Sequence, residues 1–357
     1  MSDPATTAES QPMMLRRSIM ASLVGTSLEW YDFFLYGAAA ALVFNSQFFP
    51  SYDPLTGTLL AFATYAVGFI ARPIGGVVAG HYGDRFGRKN VLVATLLIMG
   101  GATFLIGLMP TYNQIGVAAP IALVVLRLAQ GIGLGGEWAG GALIIAERSP
   151  TARRGYLTSF VQVGVPVGSL LSTLVLLVMG SMLSDAAFNS WGWRVPFLLS
   201  AVIMLVGFYI RKRLNETPLY QKTAEEAPAK KRTPPVLEVL RHQSHDVGRV
   251  IGIRIGADIL YYTMVTFLIT YVTETLGMDK GVALRATVIA AIMQLAAYPA
   301  FAALSDRIGR RPVTMFGAIG ALVWIMLFFA LLDTKSPALI TVAVVGGLFF
   351  HGAMYGV

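Results

Sequence analysis

Long apolar runs separated by short basic turns constrain this chain more than any other feature. The 357 residues are 55% hydrophobic and only 13% charged, where an ordinary soluble domain carries about 25% charged residues. A helix that crosses a membrane needs about 20 largely apolar residues. Ten runs of that kind lie near 18–45, 57–82, 90–110, 117–147, 155–182, 193–211, 250–276, 283–305, 313–332 and 338–357. Within a bilayer only the chain itself satisfies its backbone N–H and C=O groups, so runs this long are expected to be helices. The fold class is an all-α membrane protein.

The net charge of +8 follows topology. With a cytoplasmic N-terminus, most Lys and Arg fall in inward segments, including Arg16, Arg17, Arg85, Arg88, Arg148, Arg153 and Arg307. The outward segments hold only Arg194, Lys280, Arg285 and Lys335. That is the positive-inside asymmetry of a multi-pass protein, and it removes the reason to invoke nucleic acid. Residues 212–249 are polar, with Lys230-Lys231-Arg232 and Thr233-Pro234-Pro235, and read as a cytoplasmic linker open to anionic lipid. The chain thus divides into a cytoplasmic N-terminus at 1–17, a six-helix bundle at 18–211, the linker, and a second bundle at 250–357 with four runs. The last run reaches Val357 without a polar tail, so the second bundle is expected to lack two spans.

Two turns are near copies. Gly83-Asp84-Arg85-Phe86-Gly87-Arg88-Lys89 follows the second run, and Ser305-Asp306-Arg307-Ile308-Gly309-Arg310-Arg311 follows the eighth. Gly87 and Gly309 give the tight reversal its backbone freedom. The basic residues anchor it at the cytoplasmic surface. Topology does not require Asp84 or Asp306; an acid can bond to neighbouring arginines or to the positive end of another helix. A repeated block of spans is typical of secondary transporters.

These turns resemble the signature loop of the major facilitator superfamily. Glu29-Trp30-Tyr31-Asp32-Phe33, Ala71-Arg72-Pro73-Ile74-Gly75-Gly76, Gly135-Gly136-Glu137-Trp138 and Trp191-Gly192-Trp193-Arg194-Val195-Pro196-Phe197 narrow the resemblance. They are similar to the metabolite:proton symporters, the branch of shikimate, α-ketoglutarate and proline/betaine permeases. The resemblance implies two six-helix halves, no cofactor beyond a proton gradient, and a plasma-membrane location. It implies conformational roles for Asp84, Arg85, Gly87, Arg88, Asp306, Arg307, Gly309 and Arg310. Asp84 would meet an eleventh helix, and Asp306 the start of the fifth near Arg153–Tyr156. It places Arg127 beside substrate and proton, and gives Arg72 a part in architecture or coupling.

Charges within spans oppose insertion by about 2.5–3.5 kcal/mol each and mark cavities or proton paths. They are Glu29, Asp32, Arg72, Arg127, Glu137, Arg254 and Asp258. Gly25, Glu29, Asp32 and Tyr36 share one helical stripe. Two carboxylates a turn apart in low dielectric do not both stay ionised cheaply, which suits Asp32, with Glu29 and Glu137, to proton coupling. Glu29 can instead pair with a basic neighbour. Arg127 and Gln130 share a face of the fourth run with Glu137, and glycines at 131, 135, 136 and 140 allow close helix contact. Arg127, Gln130, Gln162, Tyr36, Tyr262 and Gln294 are the substrate-binding candidates; Arg254 and Asp258 are spaced for a local pair. His351 and Tyr298 are further polar residues in apolar runs.

No phosphate loop, metal cluster or nucleophile elbow marks an enzyme. The expected function is proton-coupled uptake of a small organic acid or zwitterion by a monomeric carrier in contact with lipid. A drug:proton antiporter fits the signature turn but not the Glu29–Asp32 block. A non-transporting truncated membrane protein fits the uneven halves.

Overall fold

The computed structural model describes residues 11–86, 88–135, 145–146, 149–212 and 242–357. Among the described residues every regular element is helical. The long helices are α1 (Gln11–Ala39), α2 (Pro54–Phe86), α3 (Arg88–Leu108), α4 (Ala118–Leu134), α5 (Arg154–Met182), α6 (Arg194–Lys212), α7 (Ser244–Tyr262), α8 (Lys280–Ile308), α9 (Arg310–Asp333) and α10 (Pro337–Tyr355). A π turn at Ala40–Phe44 prolongs α1, and π turns at Thr263–Phe267 and Tyr271–Thr275 prolong α7.

The ten-run reading is met in part. Six described helical stretches are long and apolar enough to cross a membrane: Pro54–Ala79, Thr151–Met182, Ser244–Thr275, Lys280–Ile308, Arg310–Asp333 and Pro337–Tyr355. Asp185–Gly192 and Arg194–Tyr209, bent by 44°, form a seventh if taken together. The apolar parts of α3 and α4, Val93–Leu108 and Ala118–Leu134, fall short of crossing length. The middle of α1 carries both Glu29 and Asp32. The linker core, 213–241, and the 136–144 part of the fourth run lie outside the described residues.

Small residues set how closely the helices approach. In α5, a Cβ at Gly164 would stand 2.6 Å from Thr26 Cβ, and one at Gly168 would stand 2.6 Å from the Tyr31 nitrogen. The pair therefore lets α5 lie against the α1 backbone. Gly131 of α4 and Gly135 just past its end do the same toward α2, where a Cβ on either would run into a backbone carbonyl, of Gly68 and Arg72 respectively. Trp193, from the Trp-Gly-Trp-Arg block, is fully buried against the rings of Phe44, Phe48 and Phe197. That aromatic knot fixes the start of α6 against the end of α1.

The halves meet along α5 and α8, and α8 is tied to the first half at both ends. At its start, Lys280 Nζ donates to Asp185 Oδ1 at 2.7 Å and lies 4.4 Å from the Phe188 ring. At its other end Asp306 accepts from two backbone amides at the start of α5. Gly155 N donates to Oδ1 and Tyr156 N to Oδ2, both at 2.9 Å. An acid on the first free N–H groups of a helix satisfies donors that have no partner within the helix. Gly309 ends α8 with φ +96°, a conformation open to glycine, and Arg310 begins α9.

Packing at Gly131 gives a direct test. Gly131→Ala places a methyl 2.6 Å from Ala71 Cβ and against the Gly68 carbonyl, and overpacking of this kind costs about 1–3 kcal/mol. Gly101→Ala meets nothing within 4 Å and gains up to about 1 kcal/mol of helix propensity. Thermal unfolding in detergent is expected to fall by several degrees for the first only; equal midpoints would refute the close α2–α4 contact.

The Asp185 carboxyl is held below the ordinary carboxylate range, first by the hydrogen bond from Lys280 and then by that side chain's charge. A depressed carboxyl contributes while ionised, and its contribution is lost as pH falls through the depressed value. Spin labels at Ser181 and Arg285 are therefore expected to give one distance distribution from about pH 8 to about pH 5, broadening only below about pH 4. Lys280→Gln should broaden it throughout. An unaltered distribution in Lys280→Gln would show that this bridge holds nothing.

Candidate functional site

The stripe on α1 delivers its side chains to a single place. Glu29 and Asp32 are 2% and 3% exposed, and both line a cavity with Phe33, Met99, Arg127, Gln130, Gly131 and Leu134. The cavity holds about one water molecule. Its position follows from the close α2–α4 contact, with α3 closing one side and α1 the other.

Arg127 is 1% exposed. Its Nη1 donates to Gln130 Oε1 at 3.0 Å, and Gln130 Nε2 donates to Thr103 Oγ1 at 2.7 Å. Thr103 in turn stands beside the Asp32 carboxyl, and Asp32 feels the charge of both Arg127 and Glu29. The Arg127 guanidinium lies 4.5 Å from the Phe33 ring centre, 4.3 Å from Tyr36 and 4.7 Å from Tyr65. Stacking of a cation on desolvated rings is worth about 2 kcal/mol. Gly68 leaves the space, since a Cβ there would sit 2.6 Å from Arg127 Nε. Tyr36 hydrogen-bonds to Thr64 at 2.6 Å.

Arg72 extends the arrangement. Its guanidinium lies 4.1 Å from the Phe33 ring centre and 4.8 Å from that of Phe69. Phe33 is thus contacted by two cations. Tyr262 of α7 closes the group from the second half, with its ring 5.2 Å from Phe69 and 6.0 Å from Tyr65. Asp32 Oδ1, Arg127 Nη2, Arg72 Nε and Arg72 Nη2 are buried without a hydrogen-bond partner among the described residues. Such groups are expensive to leave unpaired in low dielectric; here they mark a site able to take a proton and an anion.

Several predicted residues join this site and others do not. Glu29, Asp32, Arg127, Gln130, Tyr36 and Tyr262 come together. Gln162 lies on α5, which packs on α1 and α8, and does not line the Arg127 cavity. Gln294 belongs to a separate cluster with Tyr298 and His351. Arg254 and Asp258 form the expected local pair at 2.8 Å, each about one-third exposed, and Arg254 also donates to the Tyr355 hydroxyl at 2.7 Å. Arg307, Gly309 and Arg310 are exposed beside Asp306. Glu137, Gly87 and the side chains of Asp84, Arg85 and Arg88 lie outside the described residues. Sequence reading missed the aromatic box. Tyr65, Phe69 and Arg72 fall at i, i+4 and i+7 of α2, so a search of α2 for a stripe like that on α1 would have found them. Thr103 carried no such signal.

Comparison with known proteins agrees with this architecture. The Major Facilitator Superfamily profile matches residues 22–357. The shikimate transporter of Escherichia coli K12 is 41% identical over 90% of this chain and 73% of its own length. The inner membrane metabolite transport protein YhjE of the same organism is 39% identical over 98% of this chain and 80% of its own. The E. coli K12 proline/betaine transporter is 35% identical over 91% and 66%. The xylose transporter XylE from E. coli, in a partially occluded inward-open conformation, superposes with a TM-score of 0.71 over 96% of this chain and 85% of its own, at 22% identity, and so shares the fold. The helical architecture, the family match and these relatives together mean that the chain is a multi-pass membrane transporter and belongs to the major facilitator superfamily, in its metabolite symporter branch.

Proposed function

We propose that this protein takes up a small organic acid or zwitterionic metabolite in symport with a proton, across the plasma membrane, with its N-terminus cytoplasmic. The ten apolar runs are ten spans in this reading, six in the half at 18–211 and four in the half at 250–357, joined by the 212–249 linker. The observation that carries it is one buried space holding two carboxylates and a ring-stacked guanidinium.

Coupling follows from competition. An ionised Asp32 and a substrate carboxylate both seek Arg127, and a bidentate guanidinium–carboxylate pair is among the stronger polar contacts. Protonation of Asp32 releases Arg127 for substrate. Loss of the proton returns Arg127 to Asp32 and weakens the hold on substrate. Glu29 and Glu137 supply further carboxylates for the proton in this reading. Gln130 fixes the guanidinium, Tyr36 and Tyr262 shape the walls, and Gln162 and Gln294 offer hydrogen bonds from other helices.

Proteoliposome uptake of labelled shikimate and glycine betaine tests this reading. Asp32→Asn is expected to abolish accumulation driven by a pH gradient while binding persists, because the amide no longer competes for Arg127. Arg127→Gln is expected to weaken binding at least tenfold, about 1.4 kcal/mol. Normal uphill uptake in Asp32→Asn, or unchanged binding in Arg127→Gln, would remove the residue concerned from the mechanism.

Asp306 is assigned the role of a conformational latch, with Arg307, Gly309 and Arg310 shaping its turn and Asp84, Arg85, Gly87 and Arg88 forming the matching turn. Its support is the pair of amide bonds to α5. The chain contains no cysteine, so paired labels at Tyr156 and Arg307 report on this contact alone. Asp306→Ala should shift the population toward longer distances; a distribution identical to the parent would exclude a latch.

A further inference from the structure

The two arginines that flank Phe33 are not equally provided for. Arg127 has the Gln130 amide and the Asp32 carboxyl beside it. Arg72 is held by rings, with its guanidinium 5.4 Å from the Trp30 ring centre, 4.1 Å from that of Phe33 and 4.8 Å from that of Phe69. Its Nε and Nη2 are buried without a hydrogen-bond partner, and no carboxylate pairs with it among the described residues. Stacking on rings returns about 2 kcal/mol to a desolvated cation, while buried donors left unpaired cost about 1–3 kcal/mol each. A carboxylate brought within reach is therefore drawn to Arg72.

The second half holds one in register. The Tyr262 ring of α7 packs on Tyr65 and Phe69 of α2 at 6.0 and 5.2 Å. Arg72 follows Phe69 by three residues, and Asp258 precedes Tyr262 by four. Each thus stands one turn from that ring contact, on the face of its helix that makes it. They lie to the same side of it, because the Tyr262 and Tyr355 hydroxyls each feel the charges of both Arg72 and Asp258. Asp258 is bonded through Oδ2 to Arg254 of its own helix at 2.8 Å. Both side chains of that pair are about one-third exposed, and i, i+4 pairs near solvent contribute about 0.3–0.5 kcal/mol. Arg254 has other support: it donates to the Tyr355 hydroxyl at 2.7 Å and lies 4.3 Å from the centre of that ring.

We propose that Arg72 and Asp258 form an ion pair between the halves in a second conformation, in which Asp258 exchanges Arg254 for Arg72. The carboxylate gives up a weak contact within α7 for a more deeply buried partner on α2, and Arg254 keeps Tyr355. The rings of Tyr262, Tyr65 and Phe69 are the pivot, one turn away on both helices. The exchange requires that the halves move, and it is independent of which solute is carried.

Electron–electron distance measurements between spin labels at Val77 of α2 and Val250 of α7, 60% and 66% exposed, follow this approach. The chain has no cysteine of its own, so only the two introduced sites are labelled, and no solute is needed. Arg254→Gln releases Asp258 and is expected to raise the population of shorter distances about threefold or more. Adding Arg72→Gln should abolish the gain, and adding Arg72→Lys, which keeps the charge, should retain most of it. Reversing the pair in the same background, Arg72→Asp with Asp258→Arg, should restore it. In the parent, Asp258→Asn should deplete the shorter distances. No gain in Arg254→Gln, a gain that survives Arg72→Gln, or a parent distribution unchanged by Asp258→Asn would refute the exchange. A gain lost in Arg72→Gln and not restored by the reversed pair would make Arg72 a packing residue and refute the ion pair.

Discussion

A permanent positive charge inside a helix bundle needs a reason and a housing, and Arg127 has both. A guanidinium is ionised at every physiological pH, so its position in α4 commits the surrounding helices to compensating it. Compensation comes in three forms: the faces of Phe33, Tyr36 and Tyr65, the Gln130 amide, and the carboxylates of α1. The glycines at 68 and 131 are the steric side of the same demand. The first clears the space for the guanidinium, and the second lets α4 come near enough to α2 for the stack to form. Replacing either would disturb the charge site through backbone spacing, without touching a polar group.

The membrane class, the duplicated turn and the α1 stripe could all be read from sequence, because each depends on local spacing. Glu29, Asp32 and Tyr36 repeat with the period of one helix, and their shared destination needed no knowledge of neighbours. The neighbours of Gln162 could not be read in that way. Which face of α5 meets which helix is decided by Gly164 and Gly168 lying against α1, a contact between segments far apart in the chain. The Gln294–His351 bond joins α8 to α10 and is invisible to any periodicity. For the third and fourth runs the described apolar stretches are Val93–Leu108 and Ala118–Leu134, and the 136–144 part of the fourth run lies outside the described residues.

Between the charged site and the polar cluster runs an aromatic seam. Phe33 and Phe34 are adjacent on α1, and Tyr261 and Tyr262 are adjacent on α7. Phe33 faces Tyr262 at 6.1 Å, and Phe34 faces Tyr261 at 5.4 Å. Tyr262 therefore looks toward the arginines and Tyr261 toward His351. Contacts between rings tolerate sliding better than hydrogen bonds, whose strength falls steeply with angle. Two halves that must move against each other are thus separated by the kind of surface that moves at least cost.

The two ties of α8 differ in kind. The Asp306 carboxylate rests on backbone amides, whereas the Lys280–Asp185 bridge has an acid that is 86% exposed. Mobile ions screen exposed charges over about 8 Å at physiological salt, and they act far less on a partly covered carboxylate bonded to a helix end. A rise in ionic strength on the Lys280 side would then loosen one end of the helix while leaving the other fast. The molecule would behave as a see-saw weighted by the salinity of a single compartment, with its resting tilt set by the medium it faces.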